Sequence, residues 1–208
     1  MEVAIKQRLG QAEGVEEMEQ QTGGGRVTVW TRQNRKILRD LEERGRYLAG
    51  KRYIQADMAD TAPLVMVTYD WLAGHAPNVH LRPADAEYLI WVSFKRDATM
   101  LPDETTVILE LSLDPAIIAP ININKWGTIL NYSYIPANEE DLARHRELLR
   151  LYGISDTEAC MTQFYPQIKK EIMDSWDRLF DSEILLGSTA EYGTIWEVRK
   201  EWVKNVIY

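Results

Sequence analysis

The sequence predicts an α+β fold: a mixed or antiparallel central sheet flanked by about four to five helices in a single domain. Three observations carry that expectation. Alternating runs rich in β-branched residues, VTVW at 27–30 and TTVILELSL at 105–113, have the two-residue period of half-buried strands. Apolar residues at Ile168, Ile172, Trp176 and Leu179 recur at helical spacing. Strands and helices follow one another in an uneven order, unlike the strict alternation of a doubly wound sheet.

The first 25 residues hold five glutamates, two basic residues and five of the twelve glycines, too little apolar material to offset the entropy of ordering. They are expected to form a flexible acidic tail, and 26–208 the folded domain. A strand at 27–30 leads into a helix carrying Ile37, Leu38 and Leu41, which Gly45 stops. Asp60 or Thr61 caps a second helix with Pro63 in its first turn, apolar on most sides and so expected to be buried. A loop, AGHAPNVHLRPADAE, separates it from strands at 88–94 and 105–113. In the second of these strands Val107, Leu109, Leu111 and Leu113 share one face, with Glu110 on the other.

KWGTILNYSYIP is compatible with a helical turn or with a strand, and Pro136 ends either. Asn138 opens a helix with an expected inner stripe of Leu142, Leu149 and Tyr152, closed by Gly153. Ser155 to Glu158 is a capping-box sequence that opens the next helix, which Pro166 interrupts. Near the end, a strand at 193–198 followed by a short helix is expected.

Composition narrows the function classes. The net charge of −8 gives no broad attraction to a polyphosphate, so no extended nucleic-acid surface is expected. No window resembles a membrane span or a secretion signal, and the single cysteine, Cys160, suits a reducing cytoplasm. Phosphate-loop, dinucleotide-fingerprint, zinc-protease and nucleophile-elbow motifs are missing, and no metal role is indicated. His75 and His80 are read as loop histidines. His145, among Arg144, Arg146 and Arg150, is expected on an exposed helix face.

The candidate site residues fall at strand ends among aromatics. Trp30, Arg32 and Gln33 close the first strand, Trp91 and Ser93 another, Tyr132 follows Asn131, and Glu197 stands beside Trp196. Converging, they would form a cleft with aromatic walls, a cation and a carboxylate, the usual make-up of a small-molecule site.

VWTRQ, VILELSLD, KWGTILNYSYIP, FYPQIKKEIMDSWDRLF and TIWEVRKEW together resemble the bacterial proteins grouped as domain of unknown function 3841, over residues 27–205. That resemblance implies a bacterial or phage origin and no particular chemistry. The order VWTRQ, helix ending at Gly45, WVSF and TIWEV is also similar to that of ADP-ribosyltransferase-like domains, although Thr31 stands where those domains have their basic residue. This second resemblance implies NAD as substrate and a macromolecular target. It makes Glu197, Arg32 and Ser93 catalytic, and Trp30, Gln33, Trp91 and Tyr132 NAD-binding. The alternative expectation is a non-catalytic module that binds a protein partner through its acidic surface and exposed aromatics.

Overall fold

The computed structural model describes residues 25–51, 62–187 and 191–208. The expected tail, apart from Gly25, and the expected caps Asp60 and Thr61 lie outside the described residues. The described chain forms two compact units, one of residues 25–51 and 62–120 with 191–208, the other of residues 121–187.

The first unit is built on β1 (Val27–Asn34), α1 (Lys36–Arg44), β2 (Arg46–Tyr47), α2 (Ala62–His75), β3 (Ile90–Ser93) and β4 (Thr106–Leu113). β5 (Ala119–Asn122) carries the chain into the second unit, and β6 (Glu191–Ile195), β7 (Val198–Arg199) and β8 (Val203–Ile207) return it. The main sheet has the order β5-β6-β3-β1-β4-β8, and β2 pairs with β7 in a separate ribbon. β1 lies antiparallel to both β3 and β4, β3 to β6, and β4 to β8. The α+β expectation therefore holds.

Alternation explains which sheet face is buried. Val27, Val29, Val107, Leu109, Leu111 and Leu113 point to one side, with Ile90, Val92 and Ile195 beside them, and Ile37 and Leu41 join the same apolar cluster. Each such side chain stabilises the fold by about 1.5–3 kcal/mol through removal of its surface from water. α1 ends because Gly45 adopts φ +71°, where a Cβ would be strained, and its N–H closes on the Leu41 carbonyl at 3.1 Å. α2 is buried through Met66, Thr68, Trp71, Leu72 and Ala73, as expected of a helix apolar on most sides, while Leu64 and Val67 face solvent. The loop after α2 is pinned by buried Asn78, whose side-chain NH2 donates to the carbonyls of Ile117 and Thr194 while its backbone carbonyl accepts from Trp196 Nε1.

Close approach of strands leaves no room at Gly193, which sits opposite Val92. A Cβ there would overlap Ile118 Cγ2 and stand 2.9 Å from Val92 Cγ2. Gly193→Ala is expected to cost about 1–2 kcal/mol of stability by overpacking. A urea midpoint equal to that of the wild type would contradict the packing described.

The carboxy-terminal expectation needs correction. Ile195, Val198, Trp202 and Val206 have helical spacing, yet the chain forms only one tight turn at Lys200–Trp202 and then strand β8. Pairing decides the outcome: Val203, Val206 and Ile207 align with Leu111, Leu109 and Ile108, filling the open edge of β4. Ladder bonds along an otherwise bare strand outweigh a short helix of mixed composition.

The second unit contains α3 (Ile123–Leu130), α4 (Glu139–Tyr152), α5 (Asp156–Met161) and α6 (Pro166–Ser175). The ambiguous segment is thus helical as far as Leu130, with a turn after it and no strand. Asn122 Oδ1 accepts from the backbone of Asn124 and Lys125, and the helix ends where Tyr132 turns left-handed at φ +57°. Asn138 caps α4 through the Asp141 N–H, and Gly153 closes it at φ +64°. Ser155 and Glu158 complete both arms of the capping box of α5. Ile168, Ile172, Trp176 and Leu179 are all buried, as their spacing requires. The inner stripe of α4 differs from expectation, since Tyr152 is exposed and the buried residue is His145.

Candidate functional site

The first unit carries a cleft of about 360 Å³ where β1 and β3 part. Of the two strands only Trp30 and Ser93 are partners in the ladder. Beyond that pair Thr31 Oγ1 donates to the Trp91 carbonyl at 2.7 Å, and Gln33 Nε2 donates to Thr31 Oγ1 at 2.8 Å. The Trp91 carbonyl thus gains a side-chain donor at the point where the ladder ends. Five of the seven expected site residues, Trp30, Arg32, Gln33, Trp91 and Ser93, line the opening. Tyr47, Tyr69 and Tyr192 extend its aromatic walls, and Met100 stands at its edge.

Two residues that line the cleft keep unpartnered donors. Trp30 Nε1 and Arg32 Nε are buried and have no hydrogen-bond partner among the described residues. They belong to alternate positions of β1 and so to one sheet face. An unsatisfied buried donor costs about 1–3 kcal/mol, a cost that an acceptor brought by a ligand removes. The Arg32 guanidinium is already engaged in part, through Nη2 to Asp103 Oδ2 at 2.6 Å. The hydroxyl of Ser93 is also committed: it donates to the Lys95 carbonyl at 2.6 Å and accepts from the Lys95 N–H at 3.1 Å, shaping the exit from β3.

Glu197 does not line the cleft. Its side chain is buried between two guanidiniums, Arg199 at 2.7 Å and Arg46 at 3.4 Å. Arg46 and Arg199 face each other across the β2–β7 ribbon, and Glu197 neutralises the pair while Asp85 takes the other side of Arg46 at 2.5 Å. Tyr132 belongs to the second unit, where its ring meets Trp176 edge-on with centroids 6.1 Å apart.

The family model "Domain of unknown function (DUF3841)" matches residues 28–204, which take in the cleft and nearly every described element. The chain belongs to the DUF3841 family. No curated protein and no solved structure matches it. Among the described residues of this DUF3841 protein, no helix is long and apolar enough to cross a membrane.

Elsewhere in the DUF3841 fold, the second unit has an open cleft of about 460 Å³ in which charges of both signs already pair with one another. Asp141 accepts from Arg144, Arg178, Tyr134 and the Ala137 N–H, and Arg144 also reaches Glu171 at 2.8 Å. Burial alone would raise the Asp141 carboxyl, but these donors outweigh it and hold it well below the usual carboxylate range.

Beside this network lies His145, only 2% exposed and so not on the solvent face that its arginine neighbours suggested. One ring nitrogen is 2.7 Å from Asp156 and the other 3.0 Å from Glu171, and the ring stacks on Tyr134 with centroids 3.9 Å apart. Burial opposes its charge, yet the two carboxylates prevail and raise its pKa. The result is a histidine clamp between two carboxylates, tying α4 to α5 and α6.

The remaining residues singled out have structural surroundings. Cys160 is buried, which pushes its thiol up to about 11. His75 ends α2 rather than lying in the loop, stacked on Trp71 with its Nδ1 2.7 Å from the Trp71 carbonyl. His80 Nδ1 stands 3.2 Å from the Pro77 carbonyl.

Proposed function

We propose that the cleft between β1 and β3 is a nucleotide-binding site and that its ligand is NAD, which makes this protein an ADP-ribosyltransferase-like user of NAD on a macromolecular target. The observation that carries this reading is an aromatic-walled opening lined by Trp30 and Arg32, two residues that each keep a donor, Nε1 and Nε, without a partner. A dinucleotide supplies what each part lacks. Its phosphate or ribose oxygens accept from Arg32 and Trp30, and its flat rings lie against tryptophan and tyrosine faces. A cleft of about 360 Å³ lies at the lower end of the range for small-molecule sites and suits one mononucleotide half with the other extending outward. The strand-end order VWTRQ, WVSF and TIWEV supports NAD among nucleotides.

A second reading, a non-catalytic module that binds a protein partner, is favoured by the placement of Glu197. A carboxylate clamped by two guanidiniums is poorly disposed to polarise a ribose hydroxyl. The two readings separate in one experiment, a titration with NAD followed by intrinsic tryptophan fluorescence, paired with an assay for nicotinamide release in bacterial lysate. Saturable quenching with nicotinamide release is the expected result. Quenching without release leaves a binding module for the nucleotide, and no quenching with no release overturns the reading.

A further inference from the structure

We propose that the cleft of the second unit is a binding site for a small oxyanion, a carboxylate or phosphate compound, and that the Arg178 guanidinium is the group that receives it. The site is separate from the opening between β1 and β3 and does not depend on what that opening binds.

Arg178 lies in the tight turn Trp176–Phe180 that follows α6. Its backbone is held in place: Trp176 and Leu179 in the same turn are buried, and the buried Lys125 of α3 donates through Nζ to the Arg178 carbonyl at 3.0 Å. The guanidinium is held as well. Nη1 donates to the Ile135 carbonyl at 2.5 Å and to Asp141 Oδ2 at 2.9 Å, and the group stands over the Tyr134 ring, 5.3 Å from its centroid.

Nη1 makes both of those hydrogen bonds. Nε and Nη2, which share one edge of the guanidinium, have no partner among the described residues, and neither is sealed from solvent. That edge is the fork that matches two oxygens of a carboxylate or phosphate in parallel, charge-assisted hydrogen bonds. The side chain is 30% exposed and lines a cleft of about 460 Å³, within the range of small-molecule sites. Because the anchors already order the group, a ligand has little arginine rotamer freedom left to freeze.

The acids of the cleft leave this edge open. Asp141 accepts from Tyr134, the Ala137 N–H, Arg144 and Arg178, and Glu171 accepts from Arg144 and stands 3.0 Å from a ring nitrogen of His145. Asp174 pairs with Lys170 at 2.5 Å, but those side chains are 62% and 70% exposed, so the pair is weakly held. Lys170 can therefore turn to an arriving anion at little cost, as a second cation of the same lining.

Chemical-shift titrations of the nitrogen-15-labelled full chain, with inorganic phosphate and with malonate against chloride at matched ionic strength, test the proposal. At least one of the two probes is expected to produce saturable shifts at the Gln167, Lys170 and Arg178 amides, and chloride is not. Saturation by phosphate alone marks the ligand as a phosphate compound, and by malonate alone as a carboxylate. Arg178→Lys, whose ammonium can still pair with Asp141 but offers no fork, is expected to bind at least about tenfold more weakly. Asp174→Asn, an exposed change that removes a negative charge and releases Lys170, is expected to bind about threefold more tightly. Failure of both probes to saturate overturns the proposal, as does wild-type affinity in an Arg178→Lys variant whose urea midpoint shows it folded. Asp174→Asn binding no more tightly than the wild type also overturns it, and that comparison holds even if Arg178→Lys does not fold.

Discussion

Replacing His145 with alanine is expected to destabilise the protein by about 3–5 kcal/mol, because removing one member of a buried ionic cluster leaves its partners uncompensated. The partners are Asp156 and Glu171, at 2.7 and 3.0 Å from the two ring nitrogens, and the Tyr134 ring would lose its stacked neighbour. Glu171 keeps Arg144, which limits the damage on that side, but Asp156 loses its cation. His145→Gln, whose NH2 group can still donate to a carboxylate, is expected to lose less. Denaturation in urea reads both variants, and a midpoint for His145→Ala within experimental error of the wild type would show that the cluster does not hold the helices.

The same clamp has a pH dependence of definite sign. His145 has a higher pKa when folded than the roughly 6.5 of an unfolded histidine. Its stabilisation is therefore fully present below about pH 6.5 and is lost as pH rises through the folded pKa. The groups facing the ring are Asp156, Glu171 and Tyr134, with Arg144 bridging to Glu171 and Tyr134. The stability difference between wild type and His145→Gln should shrink as pH increases from 6 to 9, and a difference that grows would reverse the assignment of charge.

Glu197→Ala is the second large effect, about 3 kcal/mol of lost stability, since it leaves Arg46 and Arg199 opposed across the β2–β7 ribbon. Their half exposure to solvent and the remaining contacts of Asp85 and Glu201 keep the loss at the lower end of the range for buried charges. NAD affinity should be unchanged, because Glu197 does not line the cleft. Thermal denaturation and ligand titration of the same variant check the two halves of this expectation. A variant that keeps its melting temperature and loses transfer activity would return Glu197 to the chemistry.

These two residues show where sequence reading reaches its end. Local rules found β1, β4, the caps at Asn138 and Ser155 and the stop at Gly45, because alternation, capping and left-handed turns involve residues within a few positions of one another. Trp30, Arg32, Gln33, Trp91 and Ser93 were legible as a group for the same reason, since strand ends place them and adjacent strands bring them together. His145 was not, because its arginine neighbours in sequence point to solvent while its carboxylate partners come from other helices. Glu197 was misleading in the same way, since Arg46 lies 151 positions away. Tyr47, Tyr69 and Tyr192 were missed as cleft walls, although Tyr47 follows closely on the glycine that ends α1. For β8 the helical spacing was real, and a vacant strand edge overrode it.

The central claim is that the opening between β1 and β3 is a ligand site whose specificity rests on Arg32. Isothermal titration of NAD into the wild type and Arg32→Ala, side by side, tests it most directly. Binding to the wild type, weakened at least about tenfold in a folded Arg32→Ala variant, is the result the account predicts. Equal heats from the two proteins, or none from the wild type, would contradict it.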